Sequence, residues 1–224
     1  MTKTPEHITI LIGSPKGIEK SNSARLAKGI TTVLESARWT SKWFHTHQVL
    51  RSDESWDALL SSMARSDVIL LAAPLYVDSL PAPVIETLYR LTQAKNALHR
   101  DGPPPKMLAI LNCGFVEAQQ NYTAQSMVRL FCEGMPFEWS GGISIGAGGA
   151  INKRIRSALT LAADALRDDI LVPDAVDALT GKPMMPPWLY VFGGNFMWKR
   201  QAKANGLDAK RLGDRPYEDL SRRG

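Results

Sequence analysis

The sequence predicts an α/β chain: a doubly wound sheet of five parallel strands with helices on both faces. Two observations carry this. Three runs, 7–12 (HITILI), 68–74 (VILLAAP) and 106–114 (KMLAILNCG), are apolar almost throughout, as strands buried on both faces are. Each ends at glycine or proline and is followed by apolar residues at helical spacing, and this alternation continues up to residue 172. Parallel neighbours need crossover connections, which helices supply. Of the two common doubly wound arrangements, five strands fit the order 2-1-3-4-5.

The first strand, 7–12, ends at Gly13-Ser14-Pro15, and a helix is expected from Asn22 to about Ser36, with Leu26, Ile30, Val33 and Leu34 on one face and Ser21 or Asn22 as its cap. A weaker, alternating strand is expected around 43–49, at a less buried place in the sheet. His45 and His47 share one face of it at metal-ligand spacing. With no further histidine or carboxylate near them in sequence, they are expected to be solvated edge-strand residues. A helix over 53–65 leads to the strand 68–74, and a helix begins at Pro81–Pro83 and runs to about Ala97. The strand from 106 runs up to Gly114, followed by a helix over about 119–132, a strand near 139–145, a glycine-rich turn at 146–149 and a helix over about 152–171. A first domain is therefore expected over 1–172 and an extension over 173–224.

Charge narrows the function. The net charge is +5, yet residues 1–196 hold 19 basic and 18 acidic side chains, whereas 197–224 hold 8 and 4. A near-neutral body lacks the basic stripe that reads phosphates along nucleic acid, so no nucleic-acid partner is expected. The two cysteines, Cys113 and Cys132, cannot form a disulfide framework or a four-sulfur zinc site, which suits a reducing compartment. Cys113 is read as a buried small side chain rather than a redox thiol, and Cys132 as core. The apolar run near the N-terminus is too short for a signal peptide, and no segment reaches the roughly 20 apolar residues of a membrane span. A cytoplasmic protein with no membrane partner is expected.

Ligands of such sheets bind beyond the carboxyl ends of the strands, where the strand order reverses. Here the first strand opens into Gly13-Ser14-Pro15-Lys16-Gly17 and reaches Ser21-Asn22-Ser23 at a helix N-terminus. Hydroxyls, a lysine and the positive end of a helix dipole favour a phosphate. The Walker pattern fails, because Ile18 and Glu19 stand where it needs Gly and Lys. The dinucleotide fingerprint fails because Pro15 replaces its second glycine. A single terminal phosphate fits better. The third strand ends in Pro74-Leu75-Tyr76-Val77-Asp78, suited to a flat ring with backbone amides at its polar edge, and the fourth ends in Asn112-Cys113-Gly114-Phe115. A phosphate loop beside two loops suited to a planar heterocycle outlines an FMN site.

The runs GSPKGIEKSNS, APLYVDSLPAPV and NCGFVEAQQN together resemble the NAD(P)H-dependent FMN reductase and flavodoxin-like flavoprotein family, in a bacterial branch with a long C-terminal extension. The resemblance covers about residues 7–170. It implies a flavodoxin-like fold, with Ser14, Lys16, Ser21, Asn22 and Ser23 holding the phosphate. Pro74, Leu75, Tyr76, Val77 and Asp78 would border the isoalloxazine, and Asn112, Cys113, Gly114 and Phe115 would approach from the other side. The family usually has arginine where this chain has Lys16, which supplies the charge without the bidentate fork. It further implies FMN as cofactor, NADPH or NADH as reductant, and a small acceptor such as a quinone, nitroaromatic or free flavin. No catalytic side chain is assigned, because the flavin carries the electron chemistry. Tyr76 and Asn112 either orient substrate over the ring or are structural. An electron-transfer protein and a flavin-free interaction module remain as alternative functions.

The extension holds Trp188-Leu189-Tyr190-Val191-Phe192 and Phe196-Met197-Trp198, followed by a short basic helix over 199–204 that Asn205-Gly206 would end. Such an apolar stretch either packs on its own subunit or crosses to a partner in a homo-oligomer of dimeric or tetrameric size.

Overall fold

The computed structural model describes residues 6–214. The last ten residues of the basic tail and the first five of the chain lie outside them. The chain divides into two compact units, residues up to 184 and residues from 185 on.

In the first unit, β1 (His7–Ile12), β2 (Thr40–His45), β3 (Val68–Pro74), β4 (Lys106–Asn112) and β5 (Glu138–Ile145) form one sheet in the order β2-β1-β3-β4-β5, every pair parallel. The predicted order is the one observed. The crossovers carry α1 (Asn22–Ser36), α2 (Thr46–Val49), α3 (Asp53–Ala64), α4 (Ala82–Gln93) and α5 (Tyr122–Glu133). After β5 come α6 (Lys153–Arg167) and α7 (Asp174–Thr180).

Period-two alternation sorts the strand residues between two cores. Ile8, Ile10, Leu70, Ala72, Leu108 and Ile110 pack with Leu26 and Ile30 of α1 and Ile155 and Leu159 of α6. Their neighbours Leu11, Ile69, Leu71, Met107 and Ala109 face the other way, onto α3, α4 and α5 through Leu59, Leu88 and Val128. Both faces of β1, β3 and β4 are therefore dry, which is why those runs read as continuously apolar rather than alternating.

Several boundaries differ from the sequence reading; β4, for one, ends at Asn112 rather than running up to Gly114. β2 begins and ends earlier than expected, and Thr46–Val49 turn into a short helix with Thr46 and Val49 buried. An edge strand buried mainly at its end gives only a faint sequence pattern. α6 stops at Arg167 because Asp169 enters the left-handed region at φ 60°, and the Ile170 N–H then closes on the Ala165 carbonyl. That is the geometry of a helix C-cap, usually occupied by glycine. Asp169 also takes the nearly buried Lys106 ammonium at 2.8 Å. Finally, the chain does not leave the first unit at 172. α7 lays Val176 into the core, and the Val172 N–H bonds the Ser140 carbonyl.

The second unit is built on α8 (Pro187–Ala204), which continues straight through Gly193 and Gly194, so the expected short helix over 199–204 is only its last part. Gly206, at φ 72°, terminates it with the Leu207 N–H bonded to the Ala202 carbonyl. Trp188, Phe192, Phe196 and Trp198 are all exposed, and the apolar residues are spread around the helix rather than along one face. Among the described residues no helix is long and apolar enough to cross a membrane.

Candidate functional site

The carboxyl ends of β1, β3 and β4 bring the three predicted loops to one end of the sheet. Gly13 starts the first. Its N–H bonds the Ala72 carbonyl at 2.9 Å, and an added Cβ would stand 2.4 Å from Val84 Cγ2 and 2.8 Å from Ala73 Cβ. Only glycine lets the loop leave this close to β3 and α4.

From there Ser14, Ser21, Asn22 and Ser23 each have an internal partner. Ser14 Oγ accepts the Lys16 N–H at 3.2 Å. Ser21 Oγ accepts the Ala24 N–H at 3.1 Å, capping α1 as expected. Ser23 donates to Asn112 Oδ1 at 2.7 Å with both residues buried, and the Asn22 amide donates to the Gly148 carbonyl while accepting from Arg25. Ser21 and Ser23 are thus turned inward, and Lys16 and Lys20 are the exposed cations of the loop.

The second loop is tied to the third. The Leu75 N–H bonds the Asn112 carbonyl at 2.8 Å, in line with the Pro74–Asn112 register. Tyr76 and Ser79 then exchange two hydrogen bonds around Val77 and Asp78, whose φ values are 49° and 58°. Two successive left-handed residues make a type I′ turn. The amides of Leu75, Tyr76 and Ser79 are therefore used internally, so the segment as a whole is not open to donate them to a ligand. Val77 is 98% exposed, and a β-branched residue in this region costs of order 1–3 kcal/mol.

In the third loop, the Cys113 N–H bonds the Ile145 carbonyl at 3.0 Å, and the Gly148 and Ala147 N–H groups bond the Cys113 and Phe115 carbonyls. The Gly146–Gly149 turn has its amides directed inward, and an added Cβ at Gly146 would meet the Val116 carbonyl at 2.3 Å. The Cys113 thiol is buried between the Phe115 and Glu117 carbonyls and the Asn121 amide, and burial pushes its pKa up. It is a structural thiol, not a nucleophile. Gly114 and Phe115 are exposed, as is Tyr76 across from them in the second loop.

One residue here escaped the sequence reading. His45, expected in solvent, is only 7% exposed. It closes β2 opposite Ile12, next to the start of the first loop, and its Nδ1 is buried without a hydrogen-bond partner. Burial, with His47 next to it, holds its pKa below the ordinary 6.5. His47 lies on α2 rather than on the strand, and the two rings meet edge-on with centroids 5.3 Å apart. Among the described residues no group of three metal-ligating side chains forms. A histidine ending the strand next to the first one was the available signal, and it required the correct end of β2.

A groove of about 540 Å³ lies beside β5, lined by residues including Tyr122, Arg129, Trp139 and Asp177. It contains none of the loop residues. The loops are the better candidate, because buried polar groups converge there at the reversal of strand order.

No protein-family model matches the chain, and no curated protein does. Solved structures do. An NADH:FMN oxidoreductase in its apo form aligns with 82% of this chain and 98% of its own at 16% identity and a TM-score of 0.58. The fold is flavodoxin-like. A flavodoxin of Streptococcus pneumoniae aligns with 73% of this chain and 99% of its own at 13% identity and TM-score 0.55. An NAD(P)H:acceptor flavoenzyme of Paracoccus denitrificans does so over 73% and 96% at 16% identity and TM-score 0.52. At these identities the likeness establishes fold and topology, and the chemistry must come from the loops.

Proposed function

We propose that this chain is an FMN-dependent oxidoreductase that passes electrons from NADPH or NADH to a small acceptor such as a quinone, a nitroaromatic or a free flavin. The observation that carries the reading is the buried Ser23–Asn112 hydrogen bond, which locks a lysine-bearing loop at a helix N-terminus to the loop after the fourth strand. The residues present fit the cofactor. Lys16 and the start of α1, a helix of 15 residues, favour a phosphate dianion, with Ser14 and Ser21 shaping the loop and Asn22 and Ser23 anchoring it to the neighbouring loops. Pro74, Leu75, Tyr76, Val77 and Asp78 on one side and Asn112, Cys113, Gly114 and Phe115 on the other would border the ring. The exposed aromatic side chains of Tyr76 and Phe115 offer it apolar contact. Bound FMN would supply the hydride and electron chemistry; the chain's own residues bind, orient and shield.

The named activities of the oxidoreductases that share the fold support this reading, as does the placement of the basic excess outside the body. The two cysteines are free and buried, which suits a reducing compartment such as the cytoplasm.

A visible absorption spectrum of the purified protein, with FMN added and then anaerobic NADPH or NADH, tests cofactor and reductant together. Flavin bands that bleach with nucleotide and return with a quinone are expected. Protein that stays colourless after FMN addition and desalting would overturn the reading. Flavin bands that neither nucleotide bleaches would point instead to an electron carrier.

A further inference from the structure

We infer that α8 is a self-pairing helix: two copies of the chain lie antiparallel along it, with Phe192 of each seated on Gly193 of the other. Of the apolar residues around α8, Trp188, Leu189, Phe192, Gly193, Phe196 and Met197 recur at i, i+1, i+4, i+5, i+8 and i+9 and so share one side. That side is bare. Trp188 is 70%, Phe192 68%, Phe196 65% and Met197 50% exposed. With about 150–250 Å² to each aromatic side chain, of order 500 Å² is uncovered per copy, and pairing removes about 1,000 Å² in total, the lower bound of a specific interface.

The order of residues along this side is self-complementary, as a two-fold interface requires. About a point between Phe192 and Gly193, an antiparallel partner sets Trp188 level with Met197, Leu189 with Phe196 and Phe192 with Gly193. The smallest residue of the side therefore faces a ring. An added Cβ at Gly193 would meet nothing within 4 Å, so the hollow is open, and glycine lets a second backbone come close. It is otherwise a poor residue for a helix interior. Charge selects the direction. Lys199, Arg200 and Lys203 stand at one end of α8. A parallel pair would bring both sets together, whereas an antiparallel pair holds them at opposite ends, where salt screens their repulsion.

Light scattering of the full chain at rising concentration, with cysteine cross-linking, tests the pairing. The wild type is expected to pass from monomer to dimer. Gly193→Leu fills the hollow and should weaken the dimer at least about tenfold. That variant raises helix propensity and adds apolar surface, so neither a lost helix nor general apolar association would produce the loss. Trp198→Gln, off the paired side, should leave dimer affinity within about twofold. Cys113 and Cys132 are buried, so an added thiol reports alone. With diamide, Gly193→Cys should cross-link and Trp188→Cys should not, since the two copies of residue 188 stand about 13 Å apart along the pair and a disulfide spans less than about 7 Å. A wild-type chain that stays monomeric, a dimer that Gly193→Leu leaves as tight, or equal cross-linking at the two positions would overturn the inference. So would monomer that sediments with anionic lipid vesicles, which would give this side of α8 to a membrane surface.

Discussion

β3 and α8 are both rich in large apolar side chains, yet the first is the driest part of the molecule and the second among the most exposed. Val68–Ala73 are buried, whereas Trp188 is 70% and Phe192 68% exposed. The difference lies in what each segment meets. β3 is covered on two faces because its alternate residues are claimed by two helical layers. The large apolar side chains of α8 lie around more than one side of the helix, and burying each Trp or Phe is worth about 1.5–3 kcal/mol. The body thus completes its own burial, while α8 carries apolar surface of the kind that interfaces use.

The largest expected effect breaks the body. Leu70→Ala opens a cavity between β3 and its helices, and urea unfolding should show a loss of about 2–5 kcal/mol.

An intermediate effect concerns the titratable groups inside that dry body. Burial lowers the pKa of His45 and of His7 below 6.5, so between the lowered values and 6.5 the unfolded chain binds more protons than the folded one. Their stabilising contribution is complete above about pH 6.5 and is lost as pH falls through the folded values. Urea midpoints between pH 8 and pH 5 should decline on the acid side, and His45→Gln should make that decline shallower.

The smallest effect sharpens the contrast. Phe192→Ser should leave the urea midpoint of dilute protein within about 0.5 kcal/mol, as surface changes do. Light scattering at higher concentration should show a smaller particle than wild type if a second copy of the chain covers α8. An oligomer of unchanged mass would show that α8 is not that contact.

The same contrast explains what could be read from the sequence. β1 and β3 were legible to the residue because burial on both faces makes them apolar almost throughout, whereas β4 stops at Asn112, two residues short of the expected Gly114; the topology followed from these three. β2 was not, since an edge strand is half wet and the start of α2 carries similar residues. α8 was misjudged because two glycines cost about 1 kcal/mol each in a helix and so read as a break, yet the helix passes through them. At the site, the spacing of Ser14, Lys16, Ser21 and Asn112 indicated which loops meet. It could not reveal that Ser21 and Ser23 face inward, or that His45 is buried next to the start of the first loop, because both depend on register between strands far apart in the chain.

The Ser23–Asn112, Leu75–Asn112 and Asn22–Gly148 bonds, together with the closed turn at Val77–Asp78, have a kinetic meaning. Loops already fastened to one another do not have to wait for an occupant to arrange them. On the proposed reading, capture at this end of the sheet would be set by encounter, and discrimination between similar molecules would fall on how long each one stays.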